Sequence, residues 1–326
     1  EKGAENLNNL IKNKVLIQDD EDCLYIYEII LNEISQTGIG CIASVEAYEK
    51  NIIKKHEYTK PVKEDDRVEN ITKLEAQTGP VLLAYKNTDK ISEAINKVKD
   101  QKPVYNVFAH DGSNHKIWVI NNKNQIEKIL SEINSMKSLF IADGHHRSAA
   151  AARVKEKFSK KNHNHDGSEN YNYFLAVAFP HSEMTILDYN RIIRGLNGQS
   201  INSLISNIEK NYFIKKHSEE FRPATKNTFG MYLDKNWYEL NAIKENINLT
   251  DPVKSLDVSI LHDTIIEPLL GIYDERTDPR IDFVGGARGL KELENRVNND
   301  NFDIAFALFP TPIEALIDVA EADKVM

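Results

Sequence analysis

Cysteine is almost missing from this chain: two thiols, Cys23 and Cys41, in 326 residues. That is too few for a disulfide scaffold, and their spacing matches no metal-binding pair, so a reducing cytosol is the simplest compartment. Long apolar runs are missing too. None approaches the roughly 20 residues that a membrane helix requires, and no signal peptide opens the chain. Positive charge is in deficit, with 41 Lys+Arg against 50 Asp+Glu and a net charge of −9. General attraction to nucleic acid or to anionic membrane is therefore not expected. The common phosphate-binding fingerprints are also absent: no G-x-x-x-x-G-K-[ST], no G-x-G-x-x-G after a strand, and no H-R-D with a D-F-G partner.

What is present is a globular balance, 41% hydrophobic and 28% charged. The length suits two domains or one elaborated α/β domain. The apolar spacing of Ala4 to Ile11 predicts a helix that stops near Asn13. Cys23 to Leu31 and Thr37 to Val45 are β-rich and read as a hairpin, with turn-like Asn32-Glu33 and Ser35-Gln36 between them. Ile52 to Arg67 is a charged stretch that neither periodicity explains; Val68 to Leu74 reads as a helix and Pro80 to Tyr85 as a buried strand. Val104 to Ala109 and His115 to Ile120 flank a turn containing Asp111-Gly112, the clearest hairpin. A helix over Gln125 to Ile133 leads to a strand at Ser138 to Ala142, and the alanine-rich Ser148 to Phe158 is a strong helix former.

Ser159 to Asn170 is expected to be a mobile polar loop, followed by strands at Tyr173 to Phe179 and Met184 to Asn190. Gly195 and Gly198 suggest a boundary near 195, dividing a first domain 1–195 from a mixed second part 196–326. That second part has strands at Thr228 to Leu233, Trp237 to Leu240 and Ile304 to Phe309, a helix over Ser255 to Leu269, and a helix started by Pro312. No internal repeat is visible. The expected class is α/β, or more broadly α+β.

The most informative pentapeptide is Asp143-Gly144-His145-His146-Arg147, placed between a strand and a helix. A strand–Gly–helix turn leaves backbone N–H groups free at a helix N-terminus, where the dipole favours an anion. Gly144 allows close approach, the histidines and Arg147 add donors, and Asp143 has the chemistry to hold a magnesium ion or accept a proton. The competing reading is Asp143 as an ordinary N-cap beside two surface histidines. A second cluster runs from Lys54-Lys55-His56-Glu57 through Lys60 and Lys63-Glu64-Asp65-Asp66 to Arg67. It reads either as a solvated charged face or as an irregular segment beside a sheet, where sites are often built. His163 and His165 look like a metal pair without a third ligand, and Gly285-Gly286-Ala287-Arg288 reads as a C-cap or turn, with anion binding as the alternative.

The strand–Asp143-Gly144-His145-His146-Arg147–helix box resembles the phosphate box of the ParB/sulfiredoxin-like superfamily, in the version carried by free L-serine kinases. The order matches as well, since His56-Glu57 precedes a strand and then the box. Lys55-His56-Glu57, Lys63 to Arg67, Ala76-Gln77-Thr78-Gly79-Pro80 and Asp282-Phe283-Val284-Gly285-Gly286 extend the likeness along nearly the whole chain. They look like a bacterial family that includes the pyrophosphate-dependent serine kinases (diphosphate–serine phosphotransferases). The sequence opens at Glu1, and the resemblance implies a family longer at both ends, so a terminal contribution to the site is expected to be absent here. Sulfiredoxin chemistry is excluded, because His145 follows Gly144 where a box cysteine is required. A ParB-like DNA-binding domain has no support in the charge or in the strand-rich second part.

The resemblance implies a ParB/sulfiredoxin-like mixed-sheet core with an additional mixed C-terminal part. It implies a phosphotransferase that forms O-phospho-L-serine from pyrophosphate and L-serine, with Mg2+ as cofactor and Asp143 as its ligand. Glu57 is then the general base, assisted by Asp143. Gly144, His145, His146 and Arg147 hold the donor, Lys55, His56 and Arg67 neutralise the leaving phosphate, and Asp65, Gln77 and Thr78 are the serine-binding candidates. Three alternatives stay open: an ATP- or ADP-dependent kinase, a phosphoserine phosphatase running in reverse, and a non-catalytic ParB-like nucleotide-binding module. No nucleic-acid or membrane partner is expected.

Overall fold

A computed structural model describes residues 2–32 and 34–325. The chain divides into two compact units, 1–184 with 323–326, and 185–322. The soft boundary expected near 195 falls inside the second unit, just after its first strand. The class is α+β, with one sheet in each unit.

In the first unit, α1 (Lys2–Lys12) precedes β1 (Leu24–Leu31), β2 (Ile34–Ser44), α2 (Val45–Glu49), β3 (Ile53–Lys54) and α3 (Pro61–Leu74). Then come β4 (Val81–Tyr85), α4 (Asp89–Lys99), β5 (Tyr105–Phe108), β6 (Asn114–Ile120) and α5 (Lys123–Asn134). β7 (Leu139–Asp143), α6 (His145–Ser159) and β8 (Tyr173–Pro180) complete the unit. The eight strands form a mixed sheet in the order β3-β7-β4-β8-β2-β1-β6-β5. Two pairs are parallel, β3 with β7 and β4 with β8. The core gathers Ile26, Ile39, Leu83, Ile141 and Phe174 from the strands with Ile91 and Ile95 of α4, Ile129 of α5 and Ala151 of α6.

Both predicted hairpins form, β1 with β2 and β5 with β6. Asn32 takes a left-handed φ of 49° in the first turn, while Glu33 lies outside the described residues and Ser35-Gln36 belong to β2. The charged stretch Ile52 to Arg67 needs correction. It contains β3 and the start of α3, which begins at Pro61 as its first helical residue rather than at Val68. Pro61 is suited to that position because its missing N–H is one the helix cannot use. Val68 to Leu74 forms the second half of α3 as expected; the first half was hidden because none of the helix's residues is buried and Val62 is 81% exposed, which leaves that end no apolar stripe to read. The loop from 159 to 170 is organised rather than loose. The Glu169 carboxylate accepts from the Asp166 and Gly167 amides and from the side chains of Asn162 and Asn172. The helix α4 was not anticipated; Thr88 caps it, accepting from the Ile91 amide.

The second unit contains β9 (Tyr189–Ile193), α7 (Ile201–Ile208), β10 (Tyr212–His217), β11 (Thr228–Leu233) and β12 (Asn236–Ala242). α8 (Asp257–Leu261), a π-turn at His262–Ile266 and α9 (Glu267–Leu270) follow, then β13 (Ile281–Gly285), α10 (Leu290–Asn299), β14 (Ile304–Leu308) and α11 (Ile313–Glu321). Its six strands are all antiparallel, in the order β10-β12-β11-β14-β9-β13. The strand expected at Met184 to Asn190 begins only at Tyr189, and the helix expected from Ser255 to Leu269 is split by the π-turn. Side chains of β11 alternate between two cores. Phe229, Met231 and Leu233 join residues of α7 to α9, whereas Tyr232 joins Leu290 and Leu293 of α10. With both faces covered, every residue of β11 is buried.

Gly230 on β11 has no room for a side chain, because an added Cβ would lie 2.6 Å from the Phe221 carbonyl oxygen and 3.2 Å from both Ala307 and Trp237. Gly230→Ala is therefore expected to destabilise the second unit by about 1–3 kcal/mol. Urea unfolding in a Trp118→Phe background reads this directly, since Trp237 is then the sole tryptophan. An unchanged midpoint would show that β11 shifts freely.

Candidate active site

Two chain segments meet at one end of the first sheet because β3 and β7 run parallel, pairing Ile53 with Leu139 and Lys54 with Phe140. Both strands therefore finish on the same side. β3 delivers Lys55-His56-Glu57, and β7 ends at Asp143 and hands over to α6. Asp143 is thus the last strand residue and not an N-cap. The N-cap is Gly144, with φ 101° and ψ 25°, a left-handed conformation that glycine adopts without strain. An added Cβ there would also lie 3.1 Å from Arg147 Nε.

No side chain caps α6. Its first turn presents the amides of His145, His146 and Arg147 at the positive end of a 15-residue helix. Behind this turn the buried Ser148 donates from its hydroxyl to the carbonyls of Gly144 (3.1 Å) and His145 (3.2 Å), which fixes the turn.

The two histidines nearest the sheet are not on the surface: His56 and His145 are each 5% exposed, with their rings edge to face at 4.6 Å. Burial pushes the His56 imidazole down to about 4. Burial also pushes His145 down to about 3, reinforced by the charges of His56, His146 and Lys55. Both rings are neutral at pH 7. The His56 amide donates to His145 Nε2 at 3.4 Å, so the proton of His145 sits on Nδ1. That nitrogen faces the exposed Glu57 carboxylate, 3.7 Å from Oε2. His146 is fixed in the same manner by the Lys60 amide, which donates to its Nε2 at 3.0 Å. Its Nδ1 is left as the donor.

Arg147 is a latch. Its guanidinium donates to the Asp143 carboxylate and to the Pro80 carbonyl, with Gly79 packed against it. It thereby ties the 78–80 loop to the box, and the exposed Thr78 sits on that loop. Lys55 is exposed, with Nζ 4.9 Å from the Tyr48 ring centroid. The structure therefore brings Lys55, His56 and Glu57 together with Asp143 to Arg147.

Other sequence candidates have engagements of their own. Asp65 ion-pairs with Arg153 of α6 at 2.7 Å, and Arg67 with Asp66 at 3.6 Å. Gln77 spends both ends of its amide on β8, donating to the Tyr173 carbonyl and accepting from the Leu175 amide. Pro80 and Ser148 contribute to the site without having been singled out, and Lys60, read as part of the charged cluster, contributes through its backbone amide. Only the position of Lys60 just before Pro61 carried a signal, that of a helix start. Asp323 was also unforeseen: it ion-pairs with Lys54 at the end of β3.

The neutral histidines have a consequence for stability. Their folded values lie below the ordinary 6.5, so the unfolded chain binds protons that the folded one refuses. This contribution is intact above about pH 6.5 and is lost as pH falls toward 4, at up to about 2.7 kcal/mol per pH unit for the pair. Urea unfolding of wild type and His145→Gln at pH 7.5, 6.0 and 5.0 is expected to show the variant's slope shallower by about one proton. Identical slopes would remove His145 from the acid response.

A conserved hypothetical protein from Pyrococcus furiosus is similar at 12% identity, over 88% of this chain and 87% of the other, with a TM-score of 0.38. A free serine kinase in complex with AMP matches at 12% identity, 88% and 83% coverage and a TM-score of 0.39. SbnI with C-terminal truncation from Staphylococcus aureus matches at 8% identity, 88% and 79% coverage and a TM-score of 0.43. These similarities are too distant to carry chemistry from one chain to another. No curated protein matches the sequence. The family described as "Protein of unknown function (DUF1015)" matches residues 1–259. With that share of its 326 residues matched, the chain belongs to the DUF1015 family.

Proposed function

We propose that this protein transfers a phosphoryl group from pyrophosphate to the hydroxyl of free L-serine. The observation that carries the reading is the meeting of the exposed Glu57 carboxylate with the uncapped N-terminus of α6, through a neutral, buried His145. An anion cradle and a candidate base then share one site, and the box sequence resembles that of free serine kinases. In a phosphoryl transfer the protein's work is positioning and charge stabilisation.

In this reading the amides of His145, His146 and Arg147, with Nδ1–H of His146, hold the donor phosphates, and Lys55 offsets charge on the leaving phosphate. Glu57 takes the serine hydroxyl proton as the Oγ–P bond forms and the bridging P–O bond of pyrophosphate breaks. His145 steadies the carboxylate from Nδ1. His56 acts through its backbone, which fixes the tautomer of His145. Arg147 orients Asp143 and the 78–80 loop rather than gripping phosphate with both arms. Thr78, exposed on that loop, is the remaining candidate for serine. Asp65 and Gln77 already hold structural partners, and Arg67 is assigned no contact beyond its pair with Asp66.

Asp143 is one exposed carboxylate, already bonded to Arg147 on Oδ2. That donor set fits a Mg2+ ion brought in with the donor's own phosphates better than a resident ion held by a full protein cage. When bound, Mg2+ would neutralise phosphate charge beside Asp143.

The test offers L-serine and Mg2+ with pyrophosphate, ATP or ADP in parallel and measures phosphoserine. Product is expected with pyrophosphate. Product from a nucleotide alone would replace the donor, and no product from any donor would overturn the reading. Glu57→Gln is expected to lower turnover about 10²–10⁴-fold while leaving donor affinity nearly unchanged. Full activity in that variant would remove Glu57 from the role of base.

A further inference from the structure

A second cluster of ligand-type side chains lies in the second unit, at the π-turn between α8 and α9. Its origin is local. Pro268 has no N–H to give to the carbonyl of Thr264, so the regular helical bond cannot form there. The Glu267 amide instead donates to the His262 carbonyl, five residues back. On a regular helix, residues 262 and 267 would point about 140° apart. The wider turn returns them to one side, with His262 Nε2 3.6 Å from Glu267 Oε2. Asp263 joins them: one ligand atom from each of His262, Asp263 and Glu267 lies within 4.8 Å of the other two.

An independent feature outside that trio fixes the imidazole. His262 Nδ1 lies 3.1 Å from Glu275 Oε1, while Glu275 Oε2 takes the Nε of Arg191 at 3.2 Å. Arg191 is buried, donates to the Tyr189 carbonyl at 2.6 Å, and has its guanidinium 5.9 Å and 5.3 Å from the Tyr189 and Phe283 ring centroids. Glu275 therefore has both oxygens engaged and acts as an orienting group. An ionised carboxylate only accepts, so the contact with Glu275 is donated from Nδ1, and Nε2 is the ring nitrogen turned toward Glu267. An imidazole nitrogen grouped with two carboxylates is a ligand set for a cation. A carboxylate that orients a histidine from its far nitrogen is the usual support of a metal-bound imidazole.

We propose that His262, Asp263 and Glu267 form a binding site for a divalent transition-metal ion of the Zn2+ or Mn2+ type, with Glu275 as the positioning residue. The imidazole donor disfavours Mg2+ and Ca2+, and three protein ligands leave positions for water. This proposal is independent of the reaction assigned to the first unit.

Titration calorimetry of the full chain with Zn2+, Mn2+ and Mg2+ tests it. One equivalent of Zn2+ or Mn2+ is expected to bind in preference to Mg2+. Asp263→Asn and Glu267→Gln, both at exposed positions, are expected to weaken binding at least tenfold with an unchanged circular dichroism spectrum. Glu275→Gln is expected to weaken it about 10–100-fold. Mn2+ should also broaden the His262 ring resonances. Binding that ignores Asp263→Asn and Glu267→Gln would overturn the site. So would failure of both metals to bind at millimolar concentration, which would make the group an imidazolium ion pair.

Discussion

The parallel pairing of β3 with β7 is the constraint on which the first unit's site depends. β3 is two residues long and sits at the sheet edge, yet its register with β7 fixes where Lys55-His56-Glu57 emerges relative to the box. A parallel neighbour exits on the same side, whereas an antiparallel one would carry Glu57 to the far end of the sheet. The short strand is reinforced from outside its own hydrogen bonds. Lys54 pairs with Asp323, and the Leu139 amide donates to the Ile52 carbonyl at 3.0 Å.

Burial then sets the chemistry of the residues so gathered. The pentapeptide contributes two adjacent histidines that would behave alike in solution. In the fold His145 turns inward, is held neutral and is addressed by the His56 amide, while the partly exposed His146 is addressed by the Lys60 amide. Each has its Nε2 occupied by a backbone donor, so each directs Nδ1 elsewhere. Arg147 reads in sequence as a phosphate clamp, but it closes on Asp143 and Pro80 instead. The box thus combines its own latch with a row of amides that no side chain caps.

The second unit follows a different logic. Its sheet is all-antiparallel, and two of its irregular turns coincide with a proline and a glycine. Pro268 produces the π-turn. Gly286 lets the start of the 286–288 turn press against Asp188, where an added Cβ would lie 2.2 Å from Oδ1. The expected Gly285-Gly286 turn is accordingly a packing feature, and His165 of the presumed metal pair is engaged with Tyr171 and Glu169.

The sequence by itself determined the elements whose signals are local. The two hairpins of the first unit, the strand–Gly–helix box and the alanine-rich α6 were legible because alternation, turn chemistry and helix propensity act over a few residues. Residue chemistry marked Glu57 and the box as candidates. Sequence could not show the start of α3, where Glu64 and Asp65 pair with Arg153 and no residue is buried. Nor could it show which histidine is neutral, that Arg147 is a latch, or that His262 and Glu267 share a face. Protonation follows from burial, partner choice from contacts between residues far apart in the chain, and the shared face from one unmade backbone bond. These are properties of the packed structure, so only the tertiary fold decided them.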